Sequence, residues 1–159
     1  FVFETVGYNL EGNEVGAAFG LAQLEKLQKN IETRQSNFKQ QCDFFNKHSN
    51  YFTNPQETLG CETAWLAFPL LIKKSAPFTR KEFQIFLENK KIQTRVVFTG
   101  NILRQPMCRN IEKKVLKQGY PNADRVMAQG VLLPLHHGMT ESMFARFQAT
   151  VQEFVDQYS

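Results

Sequence analysis

Apolar positions recur at three-and-four spacing through Leu24, Leu27, Ile31, Phe38, Cys42 and Phe45, with Lys, Gln and Glu between them. That period keeps one face of a helix apolar and predicts one long helix from about 13 to 48, with room for a kink. Its first turns, Gly16-Ala17-Ala18-Phe19-Gly20, are rich in small residues. A glycine in a helix costs about 1 kcal/mol against Ala, so close packing of another backbone is expected there. Ahead of the helix, Phe1 to Val6 alternates as a strand or extended entry does.

The pattern then changes. Ser49 to Glu62 carries the breakers Asn50, Asn54-Pro55 and Gly60 and reads as loop. Trp65 to Ile72 is a short apolar run bounded by turn signals, hence a buried strand, and Pro69 within it favours an edge position or a bulge. Thr79-Arg80-Lys81-Glu82 is a capping box with Phe78 and Phe83 at the staple positions, opening a helix to about Lys90. Ile92 to Phe98 is β-branched and alternating, a second strand. Met107 to Gly119 is polar, with room for one helical turn. Pro121 opens a helix that Gly130 closes, and Val131 to Leu133 is a third strand. Thr140 caps a last helix that presents Phe144, Phe147, Val151, Phe154 and Tyr158 on one face. The expected fold is therefore α/β (α+β): a small, mostly antiparallel three-stranded sheet covered by helices, with one long N-terminal helix.

Composition narrows the function. The 159 residues are 42% hydrophobic with 15 Phe, enough for one domain with a real core. Neither a leader-like opening nor an apolar run of membrane-spanning length is present, which predicts a cytoplasmic setting and no membrane partner. The opening without Met predicts a piece of a longer chain or a processed product. A net charge of +4 is spread over scattered pairs such as Lys73-Lys74 and Lys113-Lys114, which argues against nucleic acid and suits an anionic small molecule. Cys42, Cys61 and Cys108 form no C-x-x-C pair, so structural thiols in a reducing compartment are expected, with neither disulfide nor metal.

The chemistry concentrates in Thr94 to Pro106, TRVVFTGNILRQP. Two arginines, an Asn and a Gln surround one Gly-containing turn, a composition suited to holding phosphate or carboxylate bidentately. Self-contained catalysis is not expected: no nucleophile elbow, P-loop, zinc-helix or dinucleotide fingerprint occurs. His48 has no nucleophile motif nearby. His136 and His137 are adjacent, and adjacent residues on an extended chain point to opposite sides, so they share one metal poorly.

Three segments in this order, Gly7-Tyr8-Asn9-Leu10, TRVVFTGNILRQP and Leu133 to Thr140 (LPLHHGMT), resemble the small C-terminal domain of the sugar aminotransferase family. Those are pyridoxal-phosphate (PLP) enzymes acting on nucleotide-linked 4-keto sugars. Leu21-Ala22-Gln23-Leu24 is similar to the family's GL-x-QL helix, and the GN-x-x-RQP form looks most like the CDP- and GDP-4-keto-6-deoxyhexose 3-dehydrase branch. The resemblance implies that residues 1–159 are a single C-terminal small domain, with 1–12 as the link from a large PLP domain. It implies that Asn9 reaches across a homodimer to the PLP phosphate, and that Arg95, Asn101, Arg104, Gln105 and His136 contact a nucleotide-linked 4-keto-6-deoxy sugar. No catalytic residue is expected here, because the family's Schiff-base Lys (or the His replacing it) and its Asp lie upstream.

Two departures bear on the reaction. Leu103 stands where the aminotransferase branch has an active-site His, and His137 where the family usually has Pro. The first favours 3-dehydration over 4-transamination in deoxysugar biosynthesis. Some members bind an iron–sulfur cluster through cysteines just upstream of G-Y-N; the three cysteines here match none of those positions and leave cluster content open. The rival reading is a non-catalytic sugar-nucleotide-binding or interaction module.

Overall fold

The computed structural model describes residues 1–5, 7 and 12–158. Its elements run α1 (Glu14–Leu24), α2 (Leu27–Asn46), β1 (Phe52–Thr53), β2 (Phe68–Ile72), α3 (Arg80–Asn89), β3 (Arg95–Val96), α4 (Pro121–Gln129), β4 (Gly130–Leu133) and α5 (Glu141–Asp156). Two short 3-10 turns, Ile102–Arg104 and Pro106–Cys108, lie between β3 and α4. The strands form one sheet in the order β1-β2-β4-β3, antiparallel at every pairing. The α/β expectation holds, with one strand more than the three predicted.

The extra strand, β1, pairs Phe52 with Ile72 and Thr53 with Leu71 inside the stretch read as loop. Two residues between breakers carry no period, so nothing local announces it. Pro69, expected at an edge position or a bulge, lies in β2, which has neighbours on both sides in the sheet order. The ladder explains the tolerance. β1 reaches only Leu71 and Ile72, so at Pro69 the strand has a single partner, Leu132 of β4, and a proline lacking an N–H is accommodated where one side is open.

The long helix is two helices. The chain breaks at Glu25 and Lys26, where the Lys26 N–H turns back to the Gln23 carbonyl. α1 buries none of its residues, whereas α2 buries Asn37, Gln41, Phe44 and Phe45. The apolar stripe read through Leu24 and Leu27 is therefore not one core face, and no shared packing surface holds the two segments in line.

β2 alternates cleanly, with Phe68, Leu70 and Ile72 in the core. α2, α3 and α5 supply Phe45, Phe83, Leu87, Phe147, Val151 and Phe154 to the same cluster. Ring packing is dense: Phe78 meets Phe154 edge-on at 4.8 Å and Phe45 stacks on Phe68 at 5.5 Å. Such pairs stabilise by about 0.5–1.5 kcal/mol each beyond burial. Pro69 and Leu71 point to the other face, where they line a shallow cleft with Val126 of α4. Local signals fix the helix starts: Thr79 and Glu82 form the expected capping box, and the Thr140 hydroxyl accepts from the Met143 N–H.

Candidate functional site: an open cleft beside a locked turn

The segment from Thr94 to Cys108 is anchored at its start by α3. Glu88 accepts from both the Thr94 N–H and its hydroxyl, at 2.5 and 3.0 Å, and the Gln84 amide donates to that hydroxyl at 3.1 Å. β3 then pairs Arg95 with Leu132 and Val96 with Val131. Arg95 thereby stands at the wall of a cleft of about 280 Å³, lined also by Leu66, Gln93, Thr94, Leu133 and His136. Its guanidinium is exposed and has no hydrogen-bond or ion-pair partner among the described residues.

His136 reaches the cleft from the other side because two buried amides hold its backbone. Asn37 and Gln41, one turn apart on α2, donate to the carbonyls of His136 and Pro134 at 3.1 and 3.2 Å. Leu135 between them is buried, so His136 faces outward. Its Nδ1 accepts from the Gly138 N–H at 3.2 Å, which puts the ring proton of the neutral imidazole on Nε2. The cleft therefore offers one unpaired cation and one imidazole N–H donor, a pair suited to an anionic, hydroxyl-rich ligand.

The other motif residues are occupied. The Nε and Nη2 of Arg104 grip the two oxygens of Asp124 at 3.0 and 2.9 Å. Asn101 is buried and donates to the same carboxylate at 2.8 Å, while its own oxygen accepts from the Leu103 N–H. Hydrogen bonds from Arg104, then Asn101, bring the Asp124 carboxyl down to about 2, and the same contact raises the Arg104 guanidinium above its usual range. Gln105, also buried, accepts from the Phe3 N–H at 3.0 Å and donates to the Phe1 carbonyl at 3.3 Å. It pins a segment whose Phe1 and Phe3 rings gather around Phe98 at 5.4 and 5.6 Å. Gly100 sits at φ 62°, and a Cβ there would lie 2.2 Å from the Met127 Cβ of α4. Only glycine meets both the left-handed backbone and that approach.

The structure thus divides the expected site. Arg95 and His136 share the cleft; Asn101, Arg104 and Gln105 are not among the residues lining it. Asn9 lies outside the described residues. Asp124, Asn37 and Gln41 escaped the sequence reading. In sequence Asp124 is an ordinary acid in the first turn of a helix, and the two amides extend the α2 stripe without adding to its apolarity. Among the described residues no three His, Cys, Asp or Glu gather as a metal site, and no helix is long and apolar enough to cross a membrane. Burial, with help from Asp43 and Glu57, pushes the Cys42 thiol up to about 11, so it stays protonated and inert.

The small antiparallel sheet under helices, with Arg95 on β3 and His136 beyond β4 at one cleft, is built on an architecture that solved PLP enzymes share. The profile of the DegT/DnrJ/EryC1/StrS aminotransferase family matches residues 1–152, and the chain belongs to that family. It is 30% identical over 154 residues to the lipopolysaccharide biosynthesis protein RfbH of Salmonella typhimurium, covering 97% of this chain and 35% of that protein. Against the GDP-4-keto-6-deoxy-D-mannose 3-dehydratase of Yersinia pseudotuberculosis, identity is 37% over 117 residues, 74% of this chain and 27% of that one. A solved GDP-4-keto-6-deoxymannose-3-dehydratase with a trapped PLP-glutamate geminal diamine superposes with TM-score 0.74 and 28% identity, covering 90% of this chain and 37% of the other. The chain spans about a third of the length of these relatives.

Proposed function

We propose that this chain is the C-terminal small domain of a PLP-dependent nucleotide-sugar enzyme that removes the C3 hydroxyl of a nucleotide-linked 4-keto-6-deoxyhexose. In this reading residues 1–12 link it to a large domain that carries the cofactor's covalent anchor. The span supports that division, since the chain covers 35% of one relative and 27% of another. PLP, when bound in the whole enzyme, supplies the electron sink that lets a bond next to the sugar's C4 break. The isolated 159 residues are then inactive.

The observation that carries the reading is the unpaired Arg95 beside His136 at the mouth of one cleft, within a chain whose named relatives include 3-dehydratases. Arg95 takes charge on the sugar nucleotide, and the Nε2 proton of His136 meets a sugar hydroxyl. Asn9 donates to the PLP phosphate of the neighbouring subunit in a homodimer. The exposed apolar residues Val15, Phe19, Leu21 and Leu24 of α1 support that assembly, since large apolar side chains stay in water only at a cost. Leu103 favours dehydration over transamination, because an apolar side chain neither shuttles a proton nor bonds a hydroxyl.

The test is the full-length protein with PLP, glutamate and a panel of nucleotide 4-keto sugars, read by product mass. Loss of the C3 oxygen is expected. A stable 4-amino sugar with that oxygen retained would hand the chain to the aminotransferases, and no turnover of any sugar would favour a binding module.

A further inference from the structure

The Arg104–Asp124 pair is built with more care than an exposed ion pair requires. Such pairs in water contribute little to stability, and the Arg104 side chain is 63% exposed. Yet three side chains converge. The Asp124 Oδ1 accepts from both the Arg104 Nε and the buried Asn101 amide, while Oδ2 accepts from the Arg104 Nη2. The carboxylate is itself fixed by α4, whose Met127 packs against Gly100 of the same turn. The result is a guanidinium held along one edge.

What the grip leaves free matters as much as what it holds. A guanidinium has five N–H donors. Asp124 takes the side edge, Nε and Nη2; among the described residues nothing accepts from Nη1 or from the second Nη2 proton. Those remaining donors form the end fork, the edge that meets a phosphate or carboxylate with two parallel hydrogen bonds.

We propose that Asp124 is a positioning residue that sets the Arg104 guanidinium so that its end fork receives the diphosphate of the nucleotide sugar. This rests on the functional reading above and extends it to a residue with no substrate contact of its own. Asn101 is the brace: its amide holds Asp124 from the buried side, so the carboxylate cannot follow Arg104 outward. Without Asp124 the arginine keeps its charge and loses its direction. The loss therefore falls on binding of the anion, while the chemical step keeps its rate.

The experiment uses the full-length enzyme as wild type, Asp124→Asn, Arg104→Lys and the double variant. GDP, CDP and dTDP serve as binding probes, alongside KM, kcat and thermal midpoint. For the nucleotide that wild type binds, Asp124→Asn should weaken affinity and raise KM about tenfold, with kcat within about twofold. Arg104→Lys should do the same, and the double variant should be no worse than either single. Unchanged nucleotide affinity in Asp124→Asn, with or without a lower thermal midpoint, overturns the proposal, as do additive losses in the double variant. Wild type that binds a nucleoside diphosphate but turns over no 4-keto sugar defeats the functional reading while the affinity comparison still decides this one. Wild type that binds none of the three defeats both.

Discussion

The cleft around Arg95 and the turn around Arg104 carry the same residue type nine positions apart in sequence, and the fold treats them differently. Arg95 projects from a two-residue strand into open space with no partner among the described residues. Arg104 is gripped by Asp124, with Asn101 and Gln105 buried on either side. Two arginines close in sequence are thus left in different states, one free and one held. Under the function proposed above, the free one would tune recognition at little structural cost, and the held one would tie recognition to the stability of its turn.

The largest effect should come from filling the locked turn. Gly100→Ala puts a methyl 2.2 Å from the Met127 Cβ at a φ of 62°. Overpacking and left-handed strain together cost about 3 kcal/mol or more. Urea denaturation should show it, and a change under about 0.5 kcal/mol would mean that the turn yields and is not locked.

Next is the pin on the N-terminal segment. Gln105→Ala removes a buried amide that bonds the backbone of Phe1 and Phe3, and should cost about 1–3 kcal/mol. Hydrogen exchange at the Phe3 amide should quicken; unchanged exchange there would show that the Phe1, Phe3 and Phe98 rings suffice to seat the segment.

A smaller, pH-dependent effect comes from the far end of α2. His48 is buried with its Nε2 unpaired, and burial chiefly, opposed by Asp156 and aided by Lys47, holds its imidazole below its ordinary value. The unfolded chain then takes the proton first. Stability is full above about pH 6.5 and declines as pH falls through that value toward the lower folded one. The urea midpoint should drop between pH 7.5 and 5.5, and His48→Gln should flatten the drop; equal slopes in both proteins would remove His48 from the account.

What the sequence could announce depended on range. The caps at Thr79 and Thr140 are spaced three residues from their partners, and both helices begin where those signals place them. β1 is two residues long and exists only because Ile72 and Leu71 lie beside it. The break between α1 and α2 has no Gly or Pro to mark it and follows from which residues find a core. The same holds at the site. The segments containing Arg95 and His136 stand out through their motifs, but the state of each arginine is a tertiary fact. Asp124 lies 20 residues from Arg104, and Phe1 lies 104 from Gln105. No local period encodes either pairing.

The most direct measurement is Arg95→Ala in the full-length enzyme, with thermal midpoint and nucleotide-sugar KM taken from the same preparation. An unpaired, exposed side chain should leave stability within about 0.5 kcal/mol of wild type. Losing a charge-assisted contact to an anion should raise KM about tenfold or more. A lowered midpoint with KM unchanged would contradict the account, since Arg95 would then be part of the scaffold and the open cleft would not be where the substrate binds.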